Sequence, residues 1–267
     1  VVEEEILPGE NKNANFERAE DKATKAIQKR SMLIEGSEKN PQMDEAYLLL
    51  GKSRYYDQRF IPALEAFNYI LYKNPDSDKI YEAKIWREKT NVRLENDALA
   101  VNNLTKLLNE IKFKDQIFAD ANATLSQAYL NLEQKDSAIS KLKQALNFTK
   151  KDEEKARYRF ILGQLFESIN EKDSAFAAYQ SVIDMKRKSP RQYIVHAQIK
   201  QAQQFDFTKG DTLAFMTEYN NLIDDRENRP YLDFLFHQKA LFYHQQDNAK
   251  EAVFNYNNSL DYQTSDK

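Results

Sequence analysis

The stretch Asp44–Pro75, DEAYLLLGKSRYYDQRFIPALEAFNYILYKNP, decides the fold. Gly51 stands twelve residues before Ala63, Phe67 four after it and Ile70 seven after it. Steps of four and seven place Ala63, Phe67 and Ile70 on one stripe of a helix. Tyr47, Leu50 and Gly51 keep step upstream, and the small Gly51 lets a preceding helix approach that stripe closely. Pro75 cannot continue a helix interior and closes the stretch. The reading is two helices joined by a short turn.

Outward from Ala63 the same spacing returns. Anchor residues fall at Ala26, Ala63, Ala100, Ala138, Ala175, Phe215 and Ala252, with gaps of 37, 37, 38, 37, 40 and 37 residues. Twelve before an anchor come Gly51, Ser126, Gly163 and Ala240; four after come Phe67, Leu104, Leu142, Tyr179, Tyr219 and Tyr256. Tyr55, Tyr129, Phe166 and Tyr243 close the first helix of each pair. A near-constant period in helix-forming sequence marks a stacked array. Such arrays bury a core only between neighbours and leave a long face for partners.

The pattern resembles the tetratricopeptide repeat, a helix, a turn and a second helix in about 34 residues. That resemblance implies an all-α right-handed superhelix, an α-solenoid of about six helix pairs. The expected layout is a flexible segment over 1–14, a helix over 15–33, and repeats at 44–75, 80–112, 117–150, 155–188, 193–227 and 231–262. Asp97, Asp136, Asp173, Asp211 and Asp247 precede the second helices and are expected to cap them. Pro75, Pro190 and Pro230 mark boundaries between pairs. Two copies depart from the pattern. Glu88 replaces the small residue of the second, which calls for looser packing or a rotated helix. Phe215 replaces alanine in the fifth, behind a longer inner loop at Phe207–Asp211.

Composition narrows the function. Net charge is −3, nearly balanced, which argues against a nucleic-acid surface because such domains concentrate positive charge. The short basic run Lys186, Arg187, Lys188 and Arg191 reads as a solvated turn. Cysteine is absent, which excludes disulfides and thiol catalysis. No run approaches the roughly 18 apolar residues of a membrane span. The opening VVEEEILPGENKN is acidic and unlike a signal peptide, and both ends read as cut from something longer.

Motifs for chemistry are sparse. His196, His237 and His244 are the only histidines; the last two are seven apart and share a helix face, but no third ligand or His-Glu-x-x-His pattern makes a metal site. No glycine-rich phosphate loop or nucleophile elbow occurs. No metal, cofactor or catalytic residue is therefore assigned, and the chain reads as a non-enzyme. The candidate site is the inner face formed by the first helices. Its proposed members are Leu48, Lys52, Tyr55, Ile85, Lys89, Gln127, Phe160, Gln164, His237, Leu241 and His244, a ribbon suited to an extended or helical peptide.

A more particular likeness covers roughly the first 110 residues. Ser31-Met32-Leu33-Ile34, Tyr47 to Tyr55 and Tyr81 to Trp86 resemble the tetratricopeptide-repeat lipoproteins of the PorW/SprE kind, from the type IX secretion and gliding-motility machinery of Bacteroidetes. The resemblance implies a protein of the cell envelope, on the periplasmic side of the outer membrane, held by an N-terminal lipid anchor. It implies other secretion-system proteins as partners, bridging the motor-associated ring and the outer-membrane translocon. Two other readings remain open: a peptide-binding adaptor or co-chaperone outside secretion, and a peptidoglycan- or carbohydrate-binding envelope protein.

Overall fold

The computed structural model describes residues 14–204 and 212–263. The expected flexible segment, the inner loop at Phe207–Asp211 and the cap at Asp211 lie wholly or almost wholly outside them. The described residues form thirteen α-helices: α1 Ala14–Arg30, α2 Met43–Tyr56, α3 Phe60–Lys73, α4 Ile80–Arg93, α5 Asp97–Glu110, α6 Gln116–Asn131, α7 Lys135–Phe148, α8 Asp152–Ser168, α9 Lys172–Ile183, α10 Arg191–Gln203, α11 Thr212–Asp224, α12 Leu232–Gln245 and α13 Ala249–Asp261. Successive helices from α2 onward pair as hairpins, the α-solenoid arrangement read from the period. The chain divides into two compact units, 1–150 and 151–267. The first carries α1 and the hairpins α2/α3, α4/α5 and α6/α7; the second carries α8/α9, α10/α11 and α12/α13.

The packing logic is visible at the anchors. Ala63, Ala100, Ala138 and Ala175 are fully buried, and Ala252 nearly so. A Cβ added at Gly51 would lie 2.4 Å from the Phe67 ring, and one at Gly163 would lie 2.4 Å from the Tyr179 ring. The glycines exist because an aromatic ring occupies the space a side chain would need. Where the facing residue is the smaller Leu142, Ser126 fits and donates its hydroxyl to the Ala138 carbonyl at 2.8 Å.

Glu88 faces Leu104 in the second copy, and its solution differs from the loose packing expected. The carboxylate is 1 % exposed and accepts from Arg87 Nε at 2.6 Å, Asn91 Nδ2 at 2.8 Å and Asn103 Nδ2 at 3.1 Å. A buried carboxylate is tolerated when its lone pairs are filled in this way.

The turn inside each hairpin has one geometry. Gln58, Glu95, Glu133, Asn170 and Asp247, each five residues before an anchor, have φ of 59°, 61°, 58°, 63° and 56°. The next N–H reaches back five residues: Arg59 to the Arg54 carbonyl at 2.8 Å, Asn96 to Asn91 at 2.9 Å, and likewise in the other three. This is the Schellman ending with a left-handed residue, and it hands the chain directly to the second helix. The aspartates do not cap as expected. The second helices α5, α7 and α9 have no side-chain cap bond, and α13 is capped by Asn248. Asp97 instead accepts from Asn131 Nδ2 at 2.8 Å, and burial raises its pKa despite that bond.

The N-terminal region differs in two respects. α1 ends at Arg30 rather than 33, because Leu33–Ile34 pairs antiparallel with Ser37–Glu38 around the positive-φ pair Glu35 and Gly36. Two consecutive positive-φ residues make the tight turn whose twist suits a hairpin. The buried residue of α1 is Ala23, packed with Leu50 and Ala66; Ala26 stays partly exposed, so α1 sits one turn away from the register of the other anchors.

Candidate functional site

In the first unit the inner-face residues separate into two groups. Leu48 and Tyr55 belong to the core with Phe67, Ile70 and Ala83, and Ile85 belongs to the core with Leu104, Ala121 and Leu125. These three are at most 6 % exposed. They are corrected from groove contacts to hairpin packing. The slot three before the small residue points into the junction with the next hairpin, so it is covered there.

Lys52, Lys89 and Gln127 are partly exposed. The two lysines converge on the chain's single tryptophan: Lys52 Nζ lies 5.2 Å and Lys89 Nζ 4.8 Å from the Trp86 ring. Lys89 is also 5.6 Å from the Tyr55 ring, and Arg93 Nε donates to the Tyr55 hydroxyl at 3.2 Å. A cation over a ring face is worth about 0.5–1 kcal/mol where exposed. Lys52 is already bonded to Glu82 at 2.6 Å. The resulting patch gathers Lys52, Lys89 and Arg93 about an indole, with Glu82 beside Lys52, a surface that can receive acidic side chains while an apolar group rests on Trp86. Gln127 bonds Asn131 of its own helix at 2.9 Å.

In the second unit Phe160 is also core, 4 % exposed, with Tyr193 at 5.7 Å and His196 at 6.2 Å. His196 stacks on Phe234 at 4.8 Å. Burial lowers its pKa, and the nearby Lys200 lowers it further. Gln164 is partly exposed, while His237 and His244 are exposed, and His237 stands 5.8 Å from the Tyr256 ring. Among the described residues no group of three His, Asp or Glu could hold a metal ion.

Leu241 lines something that the sequence reading did not place, a cavity of about 310 Å³ walled by α10, α11 and α12. Ile199, Phe215, Met216 and Phe242 make it apolar; Gln203, Gln238 and Lys239 give it a polar edge. Lys239 Nζ donates to Asn220 Oδ1 at 2.7 Å. Burial lowers the lysine pKa, against the opposing pull of Glu251 and Asp224. The volume is at the small end for ligand sites, enough for one large side chain or a small molecule. The sequence did hold a signal. Phe215 occupies the anchor slot that alanine takes elsewhere, and the gap before it is 40 residues where the others are 37 or 38.

Residues 119–152, which contain most of α6 and all of α7, match the tetratricopeptide repeat family model. No curated protein matches the sequence. Among solved structures, the chain resembles the C-terminal part of a TPR repeat-containing protein from Cytophaga hutchinsonii, with a TM-score of 0.63 at 16% identity, over 95% of this chain and 92% of that one. It also resembles the apo form of RapI (TM-score 0.59, 15% identity, 93% of this chain and 70% of that one). A third likeness is to a Rap protein complexed with competence and sporulation factor (TM-score 0.55, 17% identity, again 93% and 70%). Identities this low speak to fold alone. The matched repeat and the hairpins built like it mark an α-solenoid of the protein-interaction kind.

Proposed function

We propose that this chain is a non-catalytic protein–protein interaction scaffold of the cell envelope, serving type IX secretion and gliding motility and bridging the motor-associated ring and the outer-membrane translocon. The structural observation that carries the scaffold reading is the Lys52–Trp86–Lys89 patch, displayed on preformed first helices. Preformed geometry lowers the ordering cost of association. The envelope and secretion assignment is supported by the likeness at Ser31–Ile34, Tyr47–Tyr55 and Tyr81–Trp86.

The test is the double charge reversal Lys52→Glu and Lys89→Glu, scored by crosslinking and affinity capture from a Bacteroidetes envelope. Secretion-system proteins should be recovered with the parent chain and fall at least tenfold with the variant, at unchanged melting temperature. Equal recovery would remove that face from the proposal, and recovery of no secretion component would remove the assignment.

A second reading, a peptide-binding adaptor outside secretion, has its own support. The cavity beside Leu241 can seat one apolar peptide side chain, and one structural neighbour is described as complexed with competence and sporulation factor. Capture that survives the charge reversal but is lost in Leu241→Asp would favour it.

A further inference from the structure

One side chain sets the cavity between α10, α11 and α12 apart from a packing defect. Of the residues around it only Lys239 is charged. Other polar groups on the lining are already engaged: the Tyr219 hydroxyl donates to the Leu235 carbonyl at 3.0 Å, and Gln203 Nε2 donates to Gln238 Oε1 at 2.5 Å. Lys239 Nζ crosses from α12 to α11 and donates to Asn220 Oδ1, a neutral acceptor. No carboxylate among the described residues is in ion-pair contact with it. An ammonium group has three protons to donate and accepts nothing. Asn220 takes one, and two are left.

That state is costly. Lys239 is partly buried, and burial depresses its pKa even though Glu251 and Asp224 pull the other way. Those two carboxylates therefore do not offset the hydration that the ammonium loses. Desolvating a cation without a paired anion is unfavourable. An anion arriving from outside supplies the missing partner through a charge-assisted bond, the strong kind. The walls specify what that anion is attached to. Ile199, Phe215, Met216 and Phe242 offer apolar contact, and about 310 Å³ admits a medium-length chain or a single ring. One ammonium matches one negative charge, which favours a carboxylate over a phosphate carrying nearly two.

We propose that the cavity is a binding site for a small amphipathic monocarboxylate, with its chain or ring among Phe215, Met216 and Phe242 and its carboxylate on Lys239 Nζ. The proposal rests on the same cavity as the second reading above and adds the charge that its ligand carries. Two sources share this chemistry: a free medium-chain acid, and the carboxyl end of a peptide whose last residue is apolar.

Titration calorimetry on the whole chain tests it with octanoate and octan-1-ol, which have the same tail with and without the charge. Octanoate should bind at least tenfold tighter than octan-1-ol. Lys239→Met should erase that preference and leave octan-1-ol binding unchanged. The chain's four methionines locate the ligand without any substitution. Octanoate should shift the Met216 methyl resonance and leave those of Met32, Met43 and Met185 in place. N-acetylphenylalanine presents the same carboxylate at a peptide end; whichever acid binds tighter identifies the source, and either order supports the proposal. No binding of either acid at millimolar concentration would overturn it. So would equal affinity for octanoate and octan-1-ol, a preference that survives Lys239→Met, or shifts that spare Met216. Partner capture plays no part in these readouts, so the second reading stands or falls on Leu241→Asp separately.

Discussion

The smallest residues of the chain are set by the largest. Gly51 and Gly163 lie under the Phe67 and Tyr179 rings, and by the same spacing Ser126 corresponds to Leu142 and Glu88 to Leu104. The first-helix slot is thus sized against the residue four after the anchor. Gly51→Ala sets two effects against each other. Alanine gains up to about 1 kcal/mol of helix propensity. Its Cβ would stand 2.4 Å from a Phe67 ring that is fully buried and has no free direction to move. Overpacking of that kind costs about 1–3 kcal/mol. Overpacking wins, and Gly51→Ala should lower the urea midpoint. An unchanged or higher midpoint would mean that Phe67 is not held as described. The glycine and its partner were both readable from spacing. The acceptance of Glu88 was not, because it depends on Asn103, fifteen residues away on the facing helix, turning its amide toward the carboxylate.

At the scale of the hairpin, five turns share one conformation with five side chains, none of them glycine. Gln58, Glu95, Glu133, Asn170 and Asp247 all sit in the left-handed region. That region costs most residues about 1–2 kcal/mol, and asparagine less. Glycine would remove the strain but loses about 0.4–1 kcal/mol through greater freedom when unfolded. The balance predicts that Glu133→Gly stabilises by about 0.5–1 kcal/mol, whereas Asn170→Gly is nearly neutral. Paired urea titrations check this, and equal shifts in the two variants would refute it. These turns explain the misplaced caps. The Schellman ending already determines how the second helix begins, so Asp97 is freed to reach Asn131. The sequence shows that a turn falls there, yet cannot show which backbone group satisfies it. The inner-face assignments of Leu48, Ile85 and Phe160, each three residues before the small slot, failed for a related reason. A helix seen alone has an outward stripe at that slot, and only the next hairpin buries it. Lys52 and Lys89, one residue past the small slot, escape that cover, so the part of the site that stayed exposed was legible.

At the scale of the whole molecule, three buried clusters among the described residues each reach no farther than a neighbour. One joins α2, α3 and α4, another α4, α5 and α6, and another α10, α11 and α12. Stability in such a chain is a sum of hairpin terms and nearest-neighbour interfaces. A local insult should therefore stay local. In Gly51→Ala, amide exchange should accelerate in α2, α3 and α4, by about tenfold for each 1.4 kcal/mol lost. Exchange in α12 and α13 should match the parent, because no core residue there shares a cluster with Phe67. Hydrogen-exchange mass spectrometry resolves the two regions in one experiment. Uniform acceleration through α13 would mean that the chain opens as one cooperative body. The Phe67 cluster would then support far more than its own hairpin and the next, and the nearest-neighbour account of this array would fail.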